Sequence, residues 1–117
     1  MATVGTGQYT YEMIENWGDL PAGWSFGPVM GVAVDSADRV YAGRQAQDPP
    51  ILVFDREGNY LSSLGSGAIT DPHRLYIGPE DVISIADKDD HVAAKFTLDG
   101  GPLLVMGNRG QPSDTGC

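Results

Sequence analysis

The sequence repeats itself with a period of about 42 residues, and this repeat restricts the possible fold more than any other feature. The segment from Gly31, GVAVDSADRVYAGRQAQDPPILVFDREGNYLSSLG, matches the segment from Arg74, RLYIGPEDVISIADKDDHVAAKFTLDGGPLLVMG, in the roles of its residues. The offset between matched positions is 42 or 43. The matched pairs are Val32 with Leu75, Val34 with Ile77, Val40 with Val82, Phe54 with Phe96, Gly58 with Gly100, and Gly65 with Gly107. One supersecondary unit is therefore used twice.

Each unit is predicted to contain four short β-strands. Asp and Gly stand where hairpins would reverse, in DSADR, DREGN and TLDGG, and the runs between them alternate or are β-branched. A helical period of 3.6 residues is absent. The predicted strands are 31–35, 39–43, 51–55 and 60–64, then 74–78, 81–86, 91–97 and 103–106. Four-stranded units of this length are typical of β-propeller blades, so we expect an all-β fold of antiparallel four-stranded blades.

The repeat divides the chain into two blades with additional segments at both ends. Blade 1 is predicted to span residues 19–66 and blade 2 residues 67–107. We expect residues 1–8 to be a flexible N-terminus. Residues 9–18, YTYEMIENWG, resemble the outer-strand ending YLSSLG and are expected to be the outer strand of a ring-closing blade. Residues 108–117 are expected to be a linker toward a missing third blade.

Two blades cannot close a ring, because propellers have about four to eight blades. We therefore expect the chain to be the N-terminal part of a longer protein. The alternative, three copies in a six-bladed ring, fits less well because blade 2 has its own outer strand and leaves no place for residues 9–18. Exposed blade faces and strand edges predict that the remaining blades, or another chain, complete the ring.

The acidic composition argues against several functions. The net charge of −9 would repel nucleic acid and anionic lipid, and no Lys/Arg cluster offsets it. We expect no nucleic-acid or membrane partner. The N-terminus lacks a basic region followed by an apolar run, which predicts a cytoplasmic location. The single cysteine, Cys117, allows no intrachain disulfide.

The blade pattern GVAVD, RVYAG, ILVFD and a final Leu-Gly resembles the NHL-repeat propellers over residues 9–117. Within that group, the stretches GWSFGPVMGVAVDSADRVYAGRQ, DPHRLYIGP and GQPSDTGC are similar to the first blades of the peptidyl-α-hydroxyglycine α-amidating lyase family. The resemblance implies a six-bladed propeller. It also implies cleavage of the C–N bond of a peptide-like substrate, which gives an amide and glyoxylate.

The same resemblance implies roles for individual residues. His73 stands in a Pro-His pair before an inner strand and is expected to be one of three zinc-binding histidines from different blades. Arg44, in the loop after the second strand of blade 1, is expected to bind and polarise the substrate. The backbone carbonyls of Val32 and Leu75 are expected to bind a structural calcium. The other zinc ligands and the base would come from later blades, so the fragment alone is expected to be inactive.

Other interpretations of these residues remain open. His73 is alternatively a packing or exposed residue at the start of a strand, and Arg44 a solvated loop residue. The acidic run of Asp87, Asp89 and Asp90 predicts a turn, because it lacks the glycine and distal glutamate of an EF-hand loop. The protein as a whole is alternatively a non-catalytic NHL propeller that serves as a protein-interaction scaffold, or a lactonase-like propeller with calcium in its channel.

Overall fold

A computed structural model describes residues 2–112 and 114, and this part of the chain is all-β, as predicted. Met1, Cys117 and residues 113, 115 and 116 of the predicted linker lie outside the described residues. None of the described segments forms a helix long and apolar enough to cross a membrane. The strands are β1 Thr3–Thr6, β2 Tyr9–Glu12, β3 Val29–Val34, β4 Val40–Arg44, β5 Ile51–Phe54, β6 Tyr60–Leu64, β7 Pro72–Ile77, β8 Val82–Asp87, β9 Val92–Thr97 and β10 Pro102–Met106.

The two repeat units form two four-stranded antiparallel sheets with the same strand order. The first sheet has the order β3-β4-β5-β6, and the second has the order β7-β8-β9-β10. All eight strands predicted for the two units are present, with ends that differ by two residues or fewer. The strands β3 and β7 begin earlier than predicted, because a bulge lets Val29 and Pro72 still pair with the end of the second strand.

The predicted turn chemistry is confirmed at two hairpins of the first sheet. After β3, Oδ1 of Asp35 accepts hydrogen bonds from the backbone N–H groups of Ala37 and Arg39, both at 2.9 Å. After β5, Oδ1 of Asp55 accepts from the N–H groups of Glu57 at 3.0 Å and Asn59 at 2.9 Å. Each carboxylate therefore holds its own turn, which is why short Asp-containing stretches in the sequence locate the hairpins.

The N-terminal segment differs from its prediction. The strands β1 and β2 pair with each other as a hairpin, from Thr3 opposite Glu12 to Thr6 opposite Tyr9. Gly7, at a φ of 65°, reverses the chain between them in a conformation that favours glycine. Residues 3–6 are thus a paired strand within the segment expected to be flexible, and the strand expected over residues 9–18 ends at Glu12.

The main hydrophobic core lies between the two four-stranded sheets. The inner strands β3 and β7 lie side by side, and glycines allow this close approach. A Cβ atom on Gly31 would lie 3.2 Å from the backbone nitrogen of Leu75, and one on Gly43 would lie 3.3 Å from Cγ of Pro72. The buried residues of this core are Tyr41, Ile51, Val53, Leu64, Ile69, Ile83, Ile85, Ala94 and Phe96.

The far face of the first sheet is covered by the chain that precedes it. Trp17 and Phe26 pack on Phe54 with ring centroids 5.5 Å and 5.7 Å from it. Leu20 joins the same cluster over Leu52. The described molecule is therefore layered as covering segment, first sheet and second sheet, and its strands do not close into a ring. Among the described residues, no comparable segment covers the other face of the second sheet.

Candidate functional site

Both inner strands carry a bulge at the same place. In β3 the pairing moves from Val29 opposite Arg44 to Gly31 opposite Gly43, and the extra residue is Met30. In β7 it moves from Pro72 opposite Asp87 to Arg74 opposite Ala86, and the extra residue is His73. Met30 and His73 are therefore equivalent, as the repeat predicts, and both stand where a bulge redirects a side chain from its place in the ladder.

His73 is half-buried at the start of β7. Within residues 2–112 and 114, its imidazole makes no hydrogen bond or ion pair. Its neighbour Pro72 packs against Gly43, so His73 lies at the end of the second sheet that adjoins the first. A neutral imidazole in this position can act as a metal ligand.

Arg44 is not the loop residue that the sequence predicted. It is the last residue of β4 and only 3% exposed. Its Nη1 donates to the carbonyl of Ser25 at 2.7 Å, and its Nε and Nη2 donate to the carbonyl of Pro49 at 3.2 Å and 2.6 Å. The guanidinium also lies 5.4 Å from the ring centroid of Trp24. Burial lowers the pKa of Arg44 from its ordinary value.

Arg44 and His73 each follow one residue of the contact between Gly43 and Pro72, but no hydrogen bond joins their side chains among the described residues. Gly43 faces the second sheet and contacts Pro72. Because successive residues of a strand point to opposite faces, Arg44 extends toward the covering segment, where it meets Ser25. The structure therefore does not bring the Arg44 guanidinium and the His73 imidazole together.

Asp87 is a polar residue whose position was predicted wrongly from the sequence. It belongs to β8 rather than to a turn, and it is 3% exposed. Its carboxylate accepts backbone N–H groups of Thr70 at 2.8 Å, Asp71 at 3.1 Å and Asp90 at 3.2 Å. The signal that identifies it is the repeat itself, since Asp87 lies 43 residues after Arg44, at the same register position.

Asp71 lies next to this cluster, immediately before β7. It is 1% exposed, and its Oδ2 lies 3.4 Å from Nζ of Lys88. Its Oδ1 is buried without a hydrogen-bond partner among the described residues. The end of the second sheet that carries His73 thus contains two buried carboxylates, those of Asp71 and Asp87.

A second polar cluster lies at the opposite end of the first sheet. Oδ2 of Asp35 accepts from Nε of Arg39 at 2.6 Å and from the hydroxyl of Tyr41 at 2.9 Å. Burial, followed by the hydrogen bond to Asp35, raises the pKa of Tyr41 to about 12. Burial would raise the pKa of Asp35, but hydrogen bonds from Arg39, Tyr41 and Ala37 outweigh it and lower that pKa. This cluster fastens a turn and lies away from His73.

The residues proposed to hold metals supply only part of each coordination sphere. A catalytic zinc takes roughly three protein ligands, of which His73 provides one. Val32 and Leu75 occupy equivalent positions, opposite Ala42 and Ile85, on inner strands that form the edges of their sheets. Edge strands leave some carbonyls unpaired, and carbonyl oxygens suit calcium. Residues 2–112 and 114 contain no group of three or more His, Cys, Asp or Glu side chains arranged for a metal.

The uncovered face of the second sheet forms a shallow groove of about 430 Å³. Small residues, Ser84, Ala86 and Ala93, line its floor. Tyr76 is 64% exposed on one side and Met106 is 55% exposed on the other. At the equivalent positions of the first sheet, Tyr41, Gly43 and Ile51, the two large side chains fill the space between the sheets, whereas Ser84, Ala86 and Ala93 leave a recess.

Comparisons with protein-family models and with curated proteins identify no match.

Proposed function

We propose that this chain supplies two adjacent blades of an NHL-type β-propeller similar to the amidating lyases, with His73 as one zinc ligand. This proposal rests on the bulge shared by β3 and β7, which places Met30 and His73 at equivalent positions on neighbouring inner strands. In a propeller, inner strands surround the central channel, so a histidine at this position would lie close to the equivalent residues of other blades. A cytoplasmic location is part of the same proposal.

The proposed reaction breaks the C–N bond of a peptidyl-α-hydroxyglycine. A base removes the hydroxyl proton, the C–O bond becomes the carbonyl of glyoxylate, and the departing nitrogen takes a proton to become the amide. A bound zinc would polarise the hydroxyl as a Lewis acid. From this chain, His73 would hold the metal through a neutral imidazole, and the carbonyls of Val32 and Leu75 would bind calcium. Arg44 would orient the substrate with the N–H groups that Ser25 and Pro49 leave unoccupied.

The chain offers a matched control for the zinc ligand, because it has two histidines. In the zinc-loaded protein with all of its blades, His73→Ala should remove stoichiometric zinc, as measured by metal analysis after desalting. His91→Ala should retain it, because His91 is exposed outside the bulge and precedes β9. Circular dichroism should show that both variants keep the fold. Full zinc retention in the His73→Ala protein would remove His73 from the proposed site.

A second function, an interaction scaffold without catalysis, is favoured by the contacts of Arg44. A guanidinium that is 3% exposed and bound to two backbone carbonyls is well placed to stabilise the fold and poorly placed to reach a substrate. In this alternative, further blades or another chain cover the groove of the second sheet. Release of glyoxylate from a synthetic α-hydroxyglycine peptide by the zinc-loaded protein with all of its blades would decide for the lyase; zinc binding without turnover in that protein would decide for the scaffold.

A further inference from the structure

Met30 is a half-buried methionine that the packing of the two sheets does not explain. It is the extra residue of the bulge in β3, as His73 is of the bulge in β7. Methionine usually fills gaps in a core, because its side chain is flexible and apolar. Among the described residues, however, Met30 belongs to neither hydrophobic cluster, and the His73 imidazole joins none of their ion pairs. A thioether sulfur and an imidazole are thus both available as donors.

The strands β3 and β7, which carry these two residues, run side by side in the same direction. Near their starts, a Cβ atom on Gly31 would lie 3.2 Å from the backbone nitrogen of Leu75 and 3.5 Å from Cα of Arg74. Beyond their ends, the N–H group of Ser36 donates to Oδ1 of Asp81 at 3.1 Å. Because the starts adjoin and the following turns adjoin, both strands begin at the same end of the molecule.

This parallel arrangement places Met30 beside His73. Each immediately precedes one member of the contact between Gly31 and Arg74. Since a carbon–carbon bond adds about 1.5 Å, the Cα atoms of Gly31 and Arg74 are at most roughly 5 Å apart. At this spacing, the flexible side chain of Met30 can bring its sulfur to the ring of His73. Both residues are bulged, so neither side chain is fixed by a place in the ladder.

The donors of this pair suit a soft metal ion. Thioether sulfur selects Cu(I), and imidazole also binds copper. A hard ion at the same place would need several oxygen ligands. The two carboxylates at this end of the second sheet are largely occupied, because Asp87 accepts three backbone N–H groups and Oδ2 of Asp71 faces Lys88. Nitrogen and sulfur therefore define the chemistry of the pair.

We propose that Met30 and His73 together bind Cu(I), with the sulfur of Met30 and one imidazole nitrogen of His73 as ligands. Both donors are neutral, so the bound ion keeps its single positive charge. The net charge of −9 on the chain favours a cation near its surface. This site goes beyond the proposed function, because it requires neither the later blades nor the lyase reaction and shares only His73 with them.

Competition for Cu(I) with the chelator bicinchoninate, under anaerobic conditions, tests this site in the 117-residue chain. Every protein compared carries Cys117→Ser, since a free thiolate is itself a soft ligand for Cu(I). Met30→Leu and His73→Ala should each weaken Cu(I) binding about tenfold or more, because each removes one of two ligands. Leucine nearly conserves the volume of methionine, and circular dichroism should show that both variants keep the fold.

The chain offers matched controls for both ligands. Met106→Leu makes the same substitution at a methionine that is 55% exposed in the groove. His91→Ala removes the other histidine, which is exposed before β9. Both controls should keep the affinity of the parent chain for Cu(I). Equal affinity in the parent chain and in Met30→Leu would overturn the proposal.

X-ray absorption at the copper edge identifies the ligands directly. The Cu(I)-loaded chain should show a sulfur neighbour that Met30→Leu loses and Met106→Leu retains. A spectrum without sulfur would sink the copper site. Zinc analysis of the protein with all of its blades reports on the proposed function separately, since Met30→Leu should leave that zinc in place. Loss of zinc in His73→Ala with unchanged Cu(I) affinity in Met30→Leu therefore counts against the copper site alone, and the reverse result counts against the zinc ligand alone.

Discussion

Arg44 and Asp87 occupy the same position in the two four-stranded sheets, the last residue of the second strand, and both fasten the loop that leads into the inner strand. Arg44 donates to the carbonyl of Ser25, whereas Asp87 accepts from the N–H groups of Thr70 and Asp71. The charge is reversed and so is the direction of the hydrogen bonds. The repeat therefore reproduces a structural role with opposite chemistry, which indicates that this position serves the architecture of each unit.

Replacement of Asp87 by alanine should be strongly destabilising. The variant would leave three backbone N–H groups without the buried carboxylate that they now bind. The free energy of unfolding should fall by about 2–4 kcal/mol, as measured by urea denaturation. Asp89→Ala, at an exposed position two residues later, should change it by less than about 0.5 kcal/mol. Similar effects of the two substitutions would mean that the Asp87 hydrogen bonds contribute little.

Arg44→Lys separates a structural role for Arg44 from a catalytic one. Lysine keeps the charge but cannot reproduce the fork that bonds to Ser25 and Pro49, nor the stacking on Trp24. If the contacts stabilise the fold, the free energy of unfolding should fall by about 1–3 kcal/mol. Arg56→Lys, at an exposed turn, should be neutral. Unchanged stability with loss of glyoxylate release by the protein with all of its blades would instead support the substrate-binding role.

Gly43→Val should disrupt the contact between the two sheets. A Cβ atom there already meets Pro72 at 3.3 Å and a side-chain carbon of Leu75 at 3.5 Å, so branched methyl groups have no space. Thermal and urea denaturation should show a loss of about 1–3 kcal/mol. Ala86→Val is the control, since Ala86 is the equivalent residue of the second sheet and is exposed in the groove. Ala86→Val should be tolerated, because its added methyl groups meet open space in the groove.

The stability of the fold should decrease at alkaline pH because of Tyr41. Its pKa is raised to about 12 by burial and by Asp35, whereas an unfolded tyrosine ionises near pH 10. Below pH 10, Tyr41 is un-ionised in both the folded and the unfolded state, and its full contribution to the free energy of unfolding is present. Between about pH 10 and 12 the unfolded state loses its proton first, so the free energy of unfolding should fall by about 2–3 kcal/mol.

The quantity to compare between variants is the slope of the free energy of unfolding against pH, rather than its value at one pH. Tyr41→Phe also removes the hydrogen bond to Asp35, so its stability should be lower at neutral pH but should fall less steeply above pH 10. Tyr9→Phe, at a residue that is 66% exposed, should keep the wild-type slope. Equal slopes in wild type and Tyr41→Phe would show that another group is responsible.

The candidate site was only partly predictable from the sequence. The repeat correctly aligned His73 with Met30, because hydrophobic spacing along a strand fixes which residues share a register position. It misplaced Arg44, which was expected in the loop after the second strand of blade 1 and is the last residue of β4. The partners of Arg44 are Ser25, 19 residues earlier, and the carbonyl of Pro49 across a turn, and no local pattern encodes those contacts.

The sequence by itself determined the two units, their strands and the turns held by Asp35 and Asp55, because alternation and turn chemistry act between residues a few positions apart. Tertiary structure alone decided that Arg44 and Asp87 are buried, that Gly43 faces Pro72, and which sheet face stays uncovered. Those outcomes depend on which distant segments pack together. Packing joins residues far apart in the chain, and only the folded chain shows which of them meet.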